Sequence, residues 1–220
     1  MDDGFYVNVG CGLVAPADWV NLDGSYSALL AKWAPLHWLA RGLRGGSEAA
    51  NPRWPSNIRV HDVRRGMPFR DNTVVAIYAS HFLEHLTRWD ARTFLRECHR
   101  VLALGGRIRL VVPDLLTLAL RYVETKSGGG EGEAAEEFLE GLACCPVRDQ
   151  SLWVLRALRG WKQFNVHKWF YDGDSLAALL AEVGFREPLE AKYLDSGIAR
   201  IRSVEIEDRL VDSVCIEAVK

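Results

Sequence analysis

No apolar run in the sequence is long enough to cross a bilayer, which takes ~18–20 residues. Its longest greasy stretch, Leu29 to Ala40, is broken by Lys32, Pro35 and His37. An excess of either charge is also missing, since 27 basic and 29 acidic side chains leave a formal charge of -2. Proteins that coat nucleic acid draw their affinity from a large basic surplus, so no nucleic-acid partner is expected. There is no C-x-x-C pair among Cys11, Cys98, Cys144, Cys145 and Cys215, and their odd number argues against a disulfide framework. The opening residues Met1-Asp2-Asp3-Gly4 are acidic where a secretory leader is basic, and no internal repeat occurs. Reduced thiols, a cytoplasmic location and at most peripheral membrane contact are the expectation.

What remains is ample core material. Of 220 residues, 49% are hydrophobic, enough for one soluble domain spanning 1–220 and too much for a disordered chain. Eight tryptophans stand out in the composition. Phe5 to Val9 reads as a buried strand that runs into the turn Gly10-Cys11-Gly12. Further strands are expected at Trp19 to Leu22, Ile58 to Val60, Val74 to Tyr78 and Ile108 to Val112. Between the last two, Thr87 to Leu104 has the period of a helix, with Thr87 to cap it and Gly105-Gly106 to end it. Strand, turn, helix and strand in this order predict right-handed crossovers and a mostly parallel sheet. A second helix, capped by Asp172 or Asp174 and closed by Gly184, precedes strands near Glu190 to Leu194 and Ser213 to Val219. The stretches 25–57 and 115–170 break this pattern and read as insertions forming a substrate cap.

The carboxyl ends of the first three strands carry Gly10-Cys11-Gly12, Asp23 and Asp62. In a doubly wound sheet these ends converge on one crevice. A glycine turn exposes bare backbone, Asp23 can accept from paired ribose hydroxyls, and Asp62 can accept from an exocyclic amino group. Gly10-Cys11-Gly12-Leu13-Val14-Ala15 formally fits the dinucleotide fingerprint of nicotinamide and flavin enzymes. Pro16 leaves no room for the helix that would hold a pyrophosphate, and Asp23 comes too early, so the spacing rejects that oxidoreductase reading.

In order, Val7-Asn8-Val9-Gly10-Cys11-Gly12, Asn21-Leu22-Asp23, Asp62-Val63 with Met67-Pro68-Phe69, and Ser80-His81-Phe82-Leu83-Glu84-His85 form a series of blocks. Glu97-Cys98-His99-Arg100-Val101-Leu102 and Gly105-Gly106 complete it. The series resembles class I S-adenosylmethionine-dependent methyltransferases, especially the small-molecule branch with LEH and RVL-x-x-GG signatures. The resemblance implies a Rossmann-like, seven-stranded α/β sheet with an antiparallel last strand, here with a shortened first crossover helix. It implies S-adenosyl-L-methionine as cofactor, held by Asn8, Gly10, Cys11, Gly12, Asp23, Asp62, Val63, Ser80 and His81. Departures are Asn8 where Asp is common, Val14 for a third glycine and Val75 for a strand-four Asp. A non-catalytic protein that kept the fold for binding is the competing class.

The chemistry implied is in-line methyl transfer to a small or medium acceptor, an oxygen nucleophile on a glycan, lipid-linked or aromatic metabolite. A hydroxyl acceptor needs a base with a pKa near neutrality, which points to His81 and then His167. His81, Glu84 and His85 have a poor zinc spacing and too few oxygen donors for magnesium, so no metal is expected. Trp33, Trp38, Trp54, Trp153, Trp161 and Trp169 fall in the two insertions and suggest an aromatic-lined acceptor pocket.

Overall fold

The computed structural model describes residues 4–32, 54–129, 132–144 and 166–220. Among them β1 (Phe5–Val9), β2 (Val20–Asp23), β3 (Ile58–Val60), β4 (Val74–Ser80), β5 (Leu102–Pro113), β6 (Arg186–Glu190) and β7 (Ser213–Val219) form one sheet. Its order is β3-β2-β1-β4-β5-β7-β6. The first five pair in parallel, and β7 runs antiparallel between β5 and β6. This is the expected Rossmann-like architecture, antiparallel last strand included. The residues from Gly10 to Trp19 are turns without a helix, so the first crossover is reduced to a loop.

Apolar strand residues cover both faces of the sheet. Val7, Val9, Leu22, Ile77, Ile108 and Leu110 face one core with the helices α2 (Arg88–Val101) and α5 (Gly173–Val183). Tyr6, Trp19, Ala76, Tyr78, Val111 and Cys215 face the other. On α2, Ala91, Phe94, Leu95, Cys98 and Val101 are the buried stripe, and Thr87 Oγ1 accepts from Asp90 N at 3.1 Å to cap it. α5 begins with a capping box between Asp172 and Ser175 and ends at Gly184 in the left-handed region, as its sequence predicts. A short helix, α1 (Tyr26–Lys32), follows β2. The amphipathic helices α3 (Leu115–Ser127) and α4 (Glu133–Leu142) pack on each other through Tyr122 and Phe138, whose ring centroids are 5.3 Å apart. Trp33, Trp38, Trp153 and Trp161 lie outside the described residues, so the aromatic-pocket expectation concerns only Trp54 and Trp169 here.

Two boundaries differ most from the sequence reading, each for a tertiary reason. The α2 helix stops at Val101 rather than at Gly105-Gly106, because Leu102 is already extended and begins β5. Gly105, with φ 78°, lies in the stretch where the β4–β5 register shifts instead of capping a helix. The β6 strand is Arg186–Glu190 rather than Glu190 to Leu194. Residues beyond it curl inward to serve Arg109, whose guanidinium donates to Lys192 O at 2.7 Å and Asp195 O at 2.9 Å.

Arg109 is completely buried and is the centre of a satisfied ionic network. Its Nε and Nη2 donate to Glu205 Oε1 and Oε2 at 2.7 and 3.1 Å, and Nη1 donates to Glu217 Oε2 at 3.2 Å. With the two carbonyls, its five donor bonds are used, which is what makes such a charge tolerable in a core. Removing Glu205 leaves two donors of the buried guanidinium unpaired and Glu217 as its remaining counter-charge. Glu205→Ala is therefore expected to lower unfolding free energy by about 3–5 kcal/mol in urea denaturation, and a loss below about 1 kcal/mol would contradict this role.

Candidate functional site

The strand order reverses between β1 and β4, and a crevice opens at the carboxyl ends of the strands there. Gly10 follows β1 and lies against Phe82, which follows β4. It has φ 63°, and a Cβ there would stand 2.7 Å from Phe82 Cδ2. Gly12 has φ 54° but would meet nothing within 4 Å, so that side of the turn is open. The Cys11 thiol is buried and pushed up to about 12, chiefly by desolvation, so it stays neutral and packs.

Asp23 ties the walls together. Its Oδ2 accepts from Gly12 N at 2.9 Å and its Oδ1 from Ser25 N at 2.8 Å. Each carboxylate oxygen keeps further acceptor capacity, and the side chain lines the crevice. Asp62 caps the 3-10 turn Val63–Arg65 and is clamped by Arg64, whose Nε and Nη2 donate at 2.8 and 2.7 Å. That hydrogen bonding holds the Asp62 carboxyl below its ordinary range. Asp62 and Val63 both line the crevice beside Asp23.

Asn8 stands elsewhere. Its amide nitrogen donates to Val14 O at 2.8 Å and to Asn21 Oδ1 at 3.2 Å, using both hydrogens. Asn21 in turn donates to Pro16 O and Trp19 O at 2.9 and 3.0 Å. The two in-register asparagines thus hold the helix-free loop from Gly10 to Trp19 in place. Of the predicted cofactor residues, Asn8, Cys11, Gly12 and Ser80 are not among those lining the crevice, and Ser80 is buried at the end of β4.

His81 follows Ser80 and occupies the crevice wall with a φ of 51°, a conformation uncommon for a residue with a side chain. His81 N donates to Val111 O at 2.9 Å, and its ring Nε2 lies 2.9 Å from Arg209 O. A carbonyl only accepts, so Nε2 carries the hydrogen and Nδ1 is the unprotonated nitrogen of the neutral ring. Burial and the nearby Arg209 charge lower the His81 pKa, partly offset by that hydrogen bond. Its Nδ1 faces Glu84 Oε1 at 3.6 Å. His167 approaches the same oxygen, with Nε2 at 3.8 Å. The two histidines singled out in the sequence therefore meet at one carboxylate, although only His81 lines the crevice.

Sequence reasoning missed His61, Gly24, Ser25 and Phe82 in the crevice wall. Gly24 had a signal, since a glycine directly after a strand-end acid marks close backbone approach. A Cβ there would be 2.9 Å from His61 O. Phe82 had none, because its contact with Gly10 is set by packing across the sheet.

A glycine turn, a strand-end carboxylate and an acid on the neighbouring strand are the features with which a doubly wound sheet can hold a nucleoside. No helix opens after the turn to hold a pyrophosphate, which fits a nucleoside lacking one. Residues 7–110 match the family model described as the methyltransferase domain. Residues 7–110 are thus similar to a methyltransferase domain, a match over just under half of the chain. Its fold is similar to that of a SAM-dependent methyltransferase from Archaeoglobus fulgidus, with 15% identity, a TM-score of 0.50, and 99% of this chain and 86% of that one covered. A methyltransferase from Mesorhizobium loti gives 14% identity and a TM-score of 0.47 over 100% of this chain and 93% of that one. A possible histamine N-methyltransferase from Thermotoga maritima gives 14% and 0.47 over 99% and 82%. No curated protein matches the sequence.

The contrast between the two turn glycines is testable. Gly10→Ala and Gly12→Ala carry similar backbone strain, but only the former drives a methyl into Phe82. Gly10→Ala should cost about 1–3 kcal/mol more in chemical denaturation, the scale of overpacking a filled site, and equal losses would contradict the contact.

Proposed function

We propose that the chain transfers a methyl group to a small or medium-sized acceptor through an oxygen nucleophile, on a glycan, lipid-linked or aromatic metabolite. The observation that carries this reading is the His81 ring in the wall of the crevice that Asp23 organises, its Nε2 held on Arg209 O and its Nδ1 without a hydrogen bond. S-adenosylmethionine supplies, when bound, a methyl already activated on a sulfonium, so the protein's tasks are alignment and deprotonation.

In this reading Gly10, Cys11 and Gly12 present backbone to the methionine portion of the cofactor. Asp23 accepts from the ribose hydroxyls with the lone pairs left over from Gly12 N and Ser25 N. Asp62 and Val63 border the adenine, with Arg64 keeping the Asp62 carboxylate ionised and fixed in direction. His81 takes the acceptor's proton on Nδ1 while Nε2–H stays on Arg209 O, which holds the ring's orientation. His167, set back from the crevice wall, serves the ground behind it. Residues 25–57 and 115–170 supply the acceptor cap, at whose edge the half-exposed Trp169 ring lies 5.2 Å from the Arg88 guanidinium. Among the described residues no helix is long and apolar enough to cross a membrane, and a cytoplasmic acceptor agrees with that.

Calorimetry with S-adenosylmethionine and S-adenosylhomocysteine, coupled to turnover of labelled cofactor on hydroxylated acceptors, tests these roles. Asp23→Asn is expected to weaken cofactor binding by about 1.5–3 kcal/mol, the range for a hydrogen bond to a charged group. His81→Ala should bind cofactor as wild type does while kcat falls roughly 10²–10⁴-fold, the contribution of a positioned base. Unchanged turnover in His81→Ala would reject the base, and unchanged affinity in Asp23→Asn would reject the ribose assignment.

A further inference from the structure

Behind the crevice wall, the side chains of Glu84, His85 and His167 converge, and we infer that they form a binding site for a divalent transition-metal ion of the zinc type. The inference does not depend on the methyl-transfer reading. Glu84 is 1% exposed, yet neither of its carboxylate oxygens has a hydrogen-bond partner. The imidazoles of His81 and His167, at 3.6 and 3.8 Å, are beyond hydrogen-bond reach of it. Buried polar atoms almost always find partners, so an orphaned carboxylate facing imidazoles calls for a group that completes it.

One donor atom each from Glu84, His85 and His167 lies within 4.8 Å of the others. Donors arranged tetrahedrally at ~2.0–2.2 Å from a zinc ion are about 3.4 Å apart, so a small inward movement of side chains closes the set. The His85 Nδ1 lies 3.4 Å from Val166 O, a direction that places its hydrogen on the carbonyl and leaves Nε2 as the lone-pair nitrogen. His167 Nδ1 is buried and unpartnered. The His85 and His167 rings stand edge to face with centroids 5.0 Å apart. Backbone bonds fix the frame: Lys168 N and Trp169 N donate to Glu84 O at 2.7 and 3.3 Å, and His167 N donates to Ala143 O at 3.2 Å.

The chemistry of the set selects the ion. Two imidazole nitrogens with one carboxylate oxygen suit zinc or a neighbouring first-row ion, whereas magnesium and calcium want oxygen-rich shells. Three protein donors leave a fourth position for water or another ligand, the pattern of a reactive rather than a closed structural zinc site. His85 also lines the crevice, so the ion would stand in its wall. Local spacing did not reveal the set because the third donor comes from a distant part of the chain.

The test is titration of the chelator-stripped full chain with Co²⁺, read by visible absorption, with Zn²⁺ as competitor and elemental analysis for stoichiometry. The expected result is one equivalent bound, a Co²⁺ band that Zn²⁺ abolishes, and affinity reduced by at least about 10-fold in Glu84→Gln and in His167→Ala. Circular dichroism confirms that each variant is folded, and His85→Ala replaces any that is not. Absence of a stoichiometric band in the wild type would overturn the site, leaving a protonated Glu84. A single bound equivalent that the folded variants retain unchanged would overturn it equally.

Discussion

The Asp23 carboxylate is the interaction on which the arrangement of the crevice depends. It reaches back from the end of β2 to the amide of Gly12 and forward to that of Ser25, so one side chain fixes the turn after β1 and the start of the next segment. Without that link the glycine turn has no helix to anchor it, because the connection from Gly10 to Trp19 is loop throughout. The Asn8–Asn21 pair supports the same loop from beneath. A carboxylate and an amide ladder thus replace a helix, and the crevice they shape suits a nucleoside that brings no pyrophosphate.

Behind the opposite wall, burial governs the titratable groups. Glu84 sits almost fully enclosed, and desolvation pushes its carboxyl up to about 8. The same burial drives the neighbouring His85 down to about 4, with the His167 charge adding to it. An enclosed carboxyl without hydrogen-bond partners is costly to assemble for packing alone, whereas the Arg109 network on the other face of the sheet shows how this fold satisfies a buried charge. The two clusters differ in whether hydrogen-bond partners are present.

Much of the fold was legible because its signals are local. β-branched runs located β1, β3 and β7, the first two leading into Gly10 and Asp62, and the Asp172 cap with Gly184 bracketed α5. Gly105-Gly106 misled because a glycine pair reads the same whether it ends a helix or eases a strand through a register shift. The β6 boundary was hidden in Arg109, since nothing near Glu190 announces that Lys192 and Asp195 will turn to meet a buried guanidinium. At the site, Asp23, Asp62 and His81 were visible as strand-end residues, and all three line the crevice. Asn8 was visible too, but its task was not, because its partner Asn21 is set by strand register. The meeting of Glu84 with His167 is likewise a property of the tertiary structure alone.

The central proposal is that the crevice organised by Asp23 holds the nucleoside of S-adenosylmethionine. A crystal structure of the protein with S-adenosylhomocysteine tests it most directly. The account predicts the ribose hydroxyls on the two Asp23 oxygens, the adenine beside Asp62 and Val63, and the sulfur toward His81. A nucleoside bound elsewhere on the sheet, or in this crevice without contact to Asp23, would contradict it.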